Sequence, residues 1–316
     1  MLGIPVRYFL KHPVDTVTDI AADPLQLWMT VQDEYAAVRE GSRPKCQYES
    51  DNHWEQRLHE ALGVPWPCKQ ASEFWALWPE INRELEAKGI RPGPESFQWW
   101  NDGDAGLVRA IWCLIRHTKP KKVVETGVAH GVTSRCILEA LARNGDGYLW
   151  SIDLRPVDRF WRKQVGAAVG NSQVGRWSYI QGSSRRRLPG LLERLGEIDL
   201  FVHDSLHSER NVRFELDRAW PAMGANGAVV VDDVDANWGF RSFTQAFSPE
   251  LSLVCEAEPL HPDIRRFNKK GLFGISLKQT VANGSIRNGA ENMAHTVARA
   301  PVAALRPLLD PNLPPT

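Results

Sequence analysis

Two short stretches of this 316-residue chain bring together residues that could bind a ligand and move a proton. The stretch FVHDSLH starts with apolar residues and ends with Asp204 and His207. The stretch AVVVDD is apolar up to the acid pair Asp232 and Asp233. A histidine whose pKa lies near the ordinary value of about 6.5 can take a proton from a hydroxyl at neutral pH. We therefore expect both stretches to end at the edge of a crevice where chemistry takes place.

A third stretch, ETGVAHG, carries two glycines where an apolar run gives way to a helical pattern. Gly127 and Gly131 would allow the backbone to approach a ligand closely, and the start of the helix would favour a carboxylate or phosphate. Asp153 ends the next apolar run, and an acid at that position suits two ribose hydroxyls. These features predict a nucleoside ligand, either a dinucleotide or S-adenosylmethionine. The alternative is a tight turn that only packs the helix on the strand.

Strands alternate with helices from about residue 106 to 278, and the strands would carry these residues to one edge. Short apolar runs bounded by glycine, proline or aspartate predict buried strands at 122–125, 148–152, 178–181, 200–203, 228–231, 251–256 and 272–277. Helical patterns cover 107–117, 133–143, 208–220 (with Ser208 as N-cap) and 240–247. The pattern predicts an α/β fold with a mostly parallel sheet of seven strands, covered by helices on both faces. Ligands of such sheets bind outside the carboxyl ends of the strands.

The two ends of the chain differ from this central region. Residues 1 to about 105 are rich in tryptophan and proline, and apolar spacing near 3.6 predicts helices at 24–39, 52–62 and 71–88. We expect a helical N-terminal extension in front of a domain at 106–278. The zone from 279 to 316 contains several prolines, which leave one short helix near 291–306 and a loose tail.

Composition excludes several classes of protein. Apolar residues make up 43% of the chain, and 38 basic residues balance 38 acidic ones, so there is no electrostatic case for a nucleic-acid or anionic-membrane partner. The five cysteines are widely spaced without a CxxC, which argues against both a disulfide framework and a zinc-thiolate site. The first residues lack a secretory apolar core, and no run of about 18 apolar residues occurs, so we expect a cytoplasmic protein.

Taken together, the motifs resemble a known family. The segments VVETGVAHGVTS, LWSIDL, IDLFVHDSLH and GANGAVVVDDV are similar, in order and spacing, to the successive motifs of class I S-adenosylmethionine-dependent methyltransferases. Within that class the chain resembles small-molecule O-methyltransferases, both those that act on catechols and the metal-dependent enzymes that act on sugars. The resemblance covers about 170 residues and implies a doubly wound, Rossmann-like sheet. It also implies methyl transfer to a hydroxyl of a small molecule, with a sugar or glycoside as first choice and a catechol-like phenol as second.

The resemblance also implies which residues bind the cofactor. Asp153 would hold the ribose of S-adenosylmethionine, and Gly182 and Ser183 would lie near its adenine, although an acid that commonly helps there is missing. The remaining residues would follow the first strand or lie near the methyl group: Glu125, Thr126, Gly127, Ala129, Gly131, Thr133, Ser134 and Asp204.

Divalent-metal ligands of the family fall at the ends of the fourth and fifth strands, which here carry Asp204, Asp232 and Asp233. The catechol enzymes have Asp-Asn at the last pair, so the Asp-Asp of this chain looks more like the sugar-modifying branch. Three carboxylates at one edge would raise one another's pKa, and Mg²⁺ or another hard divalent cation would relieve that repulsion. Such an ion could chelate a vicinal diol, while Asp204 and His207 serve catalysis and His207 acts as the base.

Several further residues are candidates for structure or acceptor binding. We expect His203 to be structural, because in an extended strand it points away from Asp204. His130 and the pair Asn237-Trp238 are candidates for acceptor contact, and the segment 97–102 is a candidate lid. In such enzymes N-terminal helices cap the acceptor site or form a dimer contact, which leaves room for a homo-oligomer.

Three other functions compete with this interpretation. A nicotinamide oxidoreductase would share the glycine loop and the ribose acid, but the GxGxxG spacing is missing and Asp232-Asp233 would be unexplained. An enzyme that methylates planar amines would carry an Asn/Asp-Pro-Pro-aromatic run where this chain has DSLH. A non-catalytic scaffold would not need the glycine loop, the ribose acid and the acidic cluster together.

Overall fold

A sheet of seven strands forms the centre of the chain. The computed structural model describes residues 24–90, 103–154, 156, 159–258 and 271–279. In chain order the strands are β1 (Lys122–Thr126), β2 (Tyr148–Asp153), β3 (Trp177–Gln181), β4 (Ile198–His203), β5 (Met223–Val231), β6 (Leu251–Glu256) and β7 (Leu272–Leu277). Their order across the sheet is β3-β2-β1-β4-β5-β7-β6. The first five strands are parallel, and β7 runs antiparallel to β5 and β6. The predicted α/β, mostly parallel seven-stranded sheet is confirmed.

Helices cover both faces of the sheet and precede it. They are α1 (Pro24–Glu40), α2 (Trp54–Ala61), α3 (Lys69–Ala87), α4 (Ala105–Thr118), α5 (Val132–Asn144), α6 (Arg159–Arg162), α7 (Ser184–Leu195), α8 (Glu209–Ala219) and α9 (Gly239–Phe247). Each helix and strand predicted from the pattern within the described residues is present, with ends that differ by a few residues. The lid segment 97–102, the helix near 291–306 and the C-terminal tail lie outside the described residues.

The sequence pattern missed α7. This helix starts with a run of arginines and contains Pro189, both of which hide the helical pattern. Its buried positions are Leu188, Leu191 and Leu192, spaced three and four residues apart, and they pack on the sheet. Tertiary packing of this narrow apolar stripe therefore outweighs the unfavourable local sequence.

The strands are apolar throughout because both faces of the sheet are buried. Val124, Phe201 and Val229 lie side by side across β1, β4 and β5, and none of them is exposed to solvent. One face packs against α4 and α5, and the other packs against α7, α8 and α9. The polar residues at strand ends are therefore the first positions at which the sheet meets solvent.

The N-terminal helices share the core of the sheet. Phe74 of α3 and Ile111 of α4 belong to the same buried cluster as Val123 of β1. The indole Nε1 of Trp112 donates a hydrogen bond of 2.8 Å to the carbonyl of Gln70. Arg109, only 5% exposed, pairs with Glu55 and Glu258. Buried packing and an ion pair thus fix α2–α4 to the domain. Among the described residues, no helix has the length and apolarity needed to cross a bilayer.

Candidate active site at the carboxyl edge of the sheet

The strand order reverses between β1 and β4, which is where open α/β sheets bind their ligands. Gly127 follows β1 and Asp204 follows β4, and the two segments touch. A Cβ added at Gly127 would lie 1.8 Å from the carbonyl oxygen of Asp204. The backbone at Gly127 also has a φ of +87°, which disfavours a side chain. Gly127 is therefore required by the close approach of the two strand ends, and not by the packing of the helix on the strand that the tight-turn alternative supposed.

The glycine loop has a second close approach at its end. A Cβ on Gly131 would lie 2.9 Å from the Cα of Gly166, and Gly131 has a φ of +80°. Between the glycines, Ala129 adopts a φ of +46°, an uncommon conformation for a residue with a side chain. The loop is thus a strained turn, with its backbone amides directed toward the end of β2.

Asp153 stabilises this turn directly. Its Oδ2 atom accepts hydrogen bonds from the amides of Val128 at 2.9 Å and Ala129 at 3.1 Å. Burial raises the pKa of Asp153, and these two amides act in the opposite direction. The acid predicted to hold a ribose therefore also fixes the conformation of the glycine loop, and it remains half-buried at the open edge.

A buried acid lies beneath the loop. Glu125 is completely buried, and its Oε2 accepts hydrogen bonds from the hydroxyls of Ser134 and Ser151, both at 2.6 Å. Its Oε1 atom is buried without a hydrogen-bond partner. Burial raises the pKa of Glu125 to about 8, partly opposed by the two serine hydroxyls. Glu125 and Ser134, both predicted to line the cofactor site, therefore support the loop from below.

A second buried acid, Glu215 of α8, holds the end of β4. Its carboxylate accepts hydrogen bonds from Thr126 at 2.6 Å, Ser205 at 2.8 Å and Asn211 at 2.9 Å. It also lies 2.7 Å from Nδ1 of His203, which is completely buried. Although burial raises the pKa of Glu215, the attraction of His203 outweighs it and lowers the value to about 2.

This network shows where two residues singled out from the sequence, His203 and Thr126, lie, and it adds Glu215, which was not predicted. His203 has the structural role expected from its direction in the strand. Thr126, predicted near the cofactor, turns its hydroxyl inward to Glu215, so it could reach a cofactor only through its backbone. Glu215 was not predicted from the sequence. The signal for it was its own position, a charged residue on the face of α8 that buries Val212 and Leu216.

Three potential metal ligands meet at the ends of β4 and β5. Asp204, His207 and Asp232 each offer one ligand atom, and these atoms lie within 4.8 Å of one another. His207 Nε2 is 3.8 Å from Asp204 Oδ1 and 3.9 Å from Asp233 Oδ2. All three members of this group, hereafter the edge cluster, are half-buried.

The predicted ligand set of Asp204, Asp232 and Asp233 therefore differs from the group found. The close group contains His207 in place of Asp233. Asp233 is 6% exposed and has a φ of +52°, which turns the chain sharply after Asp232. The left-handed φ of Asp233 turns the chain after β5, and Asp233 lies outside the close group although its Oδ2 is 3.9 Å from Nε2 of His207.

The other acceptor candidates have different surroundings. His130 is only 1% exposed, and its Nε2 lies 2.9 Å from Oε1 of Gln164, so its predicted contact with the acceptor is wrong. Asn237 is buried, donates to the carbonyl of His207 at 3.2 Å and accepts from the amide of Gly239. It therefore supports the His207 loop and the start of α9. Trp238 is 37% exposed and is the member of that pair that remains open to an acceptor.

Aromatic residues of β3 lie beside Asp153. Tyr179 and Trp177 line an open cleft of about 410 Å³, together with Gln181, the strand partner of Asp153. Close by, Gly182 has a φ of +139°, and the hydroxyl of Ser183 is buried without a hydrogen-bond partner. An unsatisfied buried hydroxyl is costly, so this atom is suited to a ligand that brings a partner. Tyr179 and Trp177 were missed because their side of β3 is not evident from sequence.

Thr133, another residue predicted near the cofactor, is half-buried in the first turn of α5.

The class of protein follows from this fold and from comparison with known proteins. Residues 124–234 match a family model described as a methyltransferase domain. No curated protein matches the chain. The matched segment runs from the middle of β1 to just past Asp233 and so contains the glycine loop, Asp153 and the edge cluster.

Solved methyltransferase structures resemble the chain at a distance. An O-methyltransferase from Streptomyces achromogenes involved in tomaymycin synthesis, in complex with SAM, is 14% identical. The comparison has a TM-score of 0.45 and covers 63% of this chain and 88% of that one. An O-methyltransferase from Bacillus cereus in complex with SAH is 12% identical with a TM-score of 0.43, covering 71% and 97%. A SAH-bound methyltransferase from Podospora anserina is 13% identical with a TM-score of 0.40, covering 75% and 100%.

The doubly wound sheet, with its switch point between β1 and β4, is a fold that many nucleotide-binding α/β proteins share. The family model narrows this for part of the chain: residues 124–234 are similar to a methyltransferase domain.

Proposed function

We propose that the protein is an O-methyltransferase that transfers the methyl group of S-adenosylmethionine to a hydroxyl of a small molecule. The observation that carries the proposal is the glycine loop fixed to Asp153 at the switch point, next to the edge cluster. A nucleoside site and a proton-accepting site thus lie on adjacent strand ends. This is the arrangement that methyl transfer to a hydroxyl needs, because the reaction requires alignment and deprotonation.

The cofactor residues have separate tasks in this proposal. S-adenosylmethionine supplies an activated methyl group on a sulfonium. Asp153 would bind the ribose hydroxyls, and the backbone of Gly127 and Ala129 would contact the amino-acid end. The unsatisfied hydroxyl of Ser183 and the ring of Tyr179 would contact the adenine. Glu125 and Ser134 would hold the loop in shape rather than touch the ligand.

A divalent cation fits the edge cluster chemically. Asp204 and Asp232 supply the carboxylate oxygens that hard cations prefer, and His207 supplies a nitrogen within the same 4.8 Å. A bound cation would lower the pKa of an acceptor hydroxyl and orient a vicinal diol. The half-buried position of the group leaves room for such an acceptor.

His207 is the proposed base. Its Nε2 lies between the carboxylates of Asp204 and Asp233, at 3.8 and 3.9 Å, which favour the protonated imidazolium after the proton is taken. Asn237 holds the carbonyl of His207 and so restricts the loop. The other role open to His207 is a direct metal ligand.

The proposed acceptor is a sugar or glycoside, and a catechol-like phenol is the second candidate. The acid pair Asp232-Asp233, where the catechol enzymes carry Asp-Asn, favours the sugar. Exposed Trp238 follows Asn237, which contacts the backbone of His207, and its ring is suited to stacking on a sugar or aromatic ring.

The first experiment is calorimetric titration of S-adenosylhomocysteine into the wild type, Asp153→Asn and Asp146→Asn. Asp146 is exposed in front of β2, whereas Asp153 ends that strand, so the two variants lose a carboxylate at opposite edges. We expect Asp153→Asn to weaken binding about 10–100-fold through loss of charged hydrogen bonds, and Asp146→Asn to bind like the wild type. Binding of NADH but not of S-adenosylhomocysteine would contradict the proposal and support a nicotinamide oxidoreductase, with the glycine loop binding the dinucleotide.

A second experiment separates the two roles of His207. Mn²⁺ affinity and the pH dependence of turnover are compared in His207→Ala and wild type, with acceptors offered as sugars, catechols and their monohydroxy analogues. A base role predicts wild-type Mn²⁺ affinity with a lower rate that rises with pH. Loss of Mn²⁺ binding would instead make His207 a ligand, and an unchanged rate from pH 6 to 9 would mean that another group removes the proton.

A further inference from the structure

We propose that His59, Cys68, Cys113 and His117 form a structural Zn²⁺ site that joins helices α2, α3 and α4. This site, hereafter the helical cluster, is independent of the methyl-transfer chemistry and does not rest on the proposed function. His59 lies in α2, Cys68 is the N-cap of α3, and Cys113 and His117 lie in α4.

The ligand atoms are already close together. One atom each of His59, Cys68 and Cys113 lies within 4.8 Å of the others, and Nε2 of His59 is 3.0 Å from Sγ of Cys68. Zinc–sulfur and zinc–nitrogen bonds of about 2.3 and 2.0–2.1 Å place two tetrahedral ligands about 3.6 Å apart. The distance between Nε2 of His59 and Sγ of Cys68 must therefore increase by about half an ångström to admit the ion. Side-chain rotation can supply this movement.

The histidine is in the tautomer that a metal needs. Nδ1 of His59 is 2.6 Å from the carbonyl oxygen of Glu55, and a carbonyl can only accept a hydrogen bond. Nδ1 therefore carries the proton, and the lone pair of neutral His59 is on Nε2, the atom that faces Cys68. A hydrogen bond from the second ring nitrogen to a backbone carbonyl is the usual support of a metal-bound histidine.

The sulfur of Cys68 lies at the start of helix α3. Cys68 Sγ accepts the amide of Ala71 at the start of α3, and positive ends of helices stabilise thiolates.

His117 supplies the fourth ligand. It follows Cys113 by four residues, so the two side chains lie on one face of α4. The rings of His117 and His59 are 5.1 Å apart, and the Nε2 atom of His117 is buried without a hydrogen-bond partner in the part of the chain the structure describes. An unsatisfied buried nitrogen beside two cysteines and a second histidine indicates a missing ligand.

The closed surroundings argue for a structural role. His59 is completely buried, and Cys68 and Cys113 are 8% and 2% exposed. The Trp66 ring packs 4.8 Å from that of His59 and covers it. Structural zinc sites are closed four-ligand sets of cysteine and histidine, whereas catalytic ones keep an open position. The cysteines were expected not to bind zinc because no CxxC occurs, but here three separate helices supply the ligands.

The test uses the full chain, purified under reducing conditions without chelator, and measures zinc by mass spectrometry. Cys68→Ser and Cys113→Ser remove ligands, and Cys136→Ser is the matched control, a completely buried cysteine of α5 outside the cluster. Asp232→Asn is the control for the edge cluster. We expect one zinc per chain in the wild type and both controls, and its loss in the two ligand variants.

Cobalt replacement keeps the test decisive if a serine variant does not fold. Wild-type chain stripped of zinc and titrated with Co²⁺ should develop the sulfur-to-cobalt charge-transfer band and the intense visible bands of a tetrahedral site. A wild type without zinc that also gives no such bands would overturn the proposal. So would zinc that is lost only in Asp232→Asn.

Discussion

The edge cluster and the helical cluster each bring three potential metal ligands within 4.8 Å, yet they differ in burial and in chemistry. Asp204, His207 and Asp232 are half-buried at the end of the sheet, and two of the three ligand atoms are oxygens. His59, Cys68 and Cys113 are buried among helices, and two of the three ligand atoms are sulfurs. The first set suits a hard cation with an open position for an acceptor, and the second suits zinc in a closed site.

The edge cluster and the helical cluster also differ in how their residues are held in place. The edge cluster lies on the loops after β4 and β5, and a buried layer centred on Glu215, with His203 and Ser205, fixes the first of these loops. The ligands of the helical cluster sit instead on or at the ends of helices that already pack together. We therefore expect changes beneath the edge cluster to affect both stability and binding, and changes within it to affect binding alone.

The largest expected effect comes from Glu215→Ala. It leaves His203 buried without its partner, so the free energy of unfolding should fall by about 3–5 kcal/mol. Asp217→Ala, which removes a partly exposed acid paired with Arg213 on the same helix, should cost less than about 1 kcal/mol. Urea unfolding measures both. Equal losses would mean that the edge cluster does not depend on a buried layer.

The next effect is expected from Gly127→Ala, compared with Gly145→Ala. Both glycines have left-handed backbones, which costs an alanine about 1–2 kcal/mol. At Gly145 nothing lies within 4 Å of the added Cβ, whereas at Gly127 the backbone of Asp204 must move as well. Gly127→Ala should therefore lose about 2–4 kcal/mol and also weaken S-adenosylhomocysteine binding. Thermal unfolding measures the stability of the two variants, and calorimetry measures their binding of S-adenosylhomocysteine. Equal values for the two variants would mean that the ends of β1 and β4 can separate freely.

Asp232→Asn sharpens the contrast between the clusters. We expect it to weaken Mn²⁺ binding by more than about 10–100-fold. That loss is typical of residues that only support a metal ligand, and Asp232 would be a ligand itself. Its melting temperature without added Mn²⁺ should equal that of the wild type, because the side chain is half-buried and lies at an open edge. A large drop in melting temperature would show that the edge cluster is structural as well, and the distinction between the clusters would fail.

The smallest effect is a pH dependence from Glu125. Its pKa is about 8 in the folded chain and about 4.5 when exposed, so the folded state keeps a proton that the unfolded state releases. The resulting stabilisation is complete below about pH 4.5 and is lost as the pH rises toward 8, at up to about 1.4 kcal/mol per pH unit. Glu125→Gln should remove this slope between pH 6 and 7 in urea unfolding. An unchanged slope would mean that Glu125 is ionised in the folded chain.

Much of the fold and part of the site could be predicted because their signals are local. Parallel strands buried on both faces appear as short apolar runs, and each such run ends in the residue that reaches the open edge. Asp153, Asp204, His207 and Asp232 were found in this way. The helix α7 was not found, because its three buried leucines stand among arginines and a proline.

The sequence by itself determined the alternation of strands and helices, the edge where the candidate site residues gather, and the resemblance to a methyltransferase domain. Only the tertiary structure decided that His207 joins Asp204 and Asp232 in the edge cluster, because the ends of the neighbouring strands β4 and β5 meet there. It alone assigned Gly127 to strand packing and Glu215 to the support of β4. It also brought His59 and Cys68 to Cys113, about 50 residues away. Periodicity records which face of an element is buried, but contacts between distant elements depend on how those faces pack.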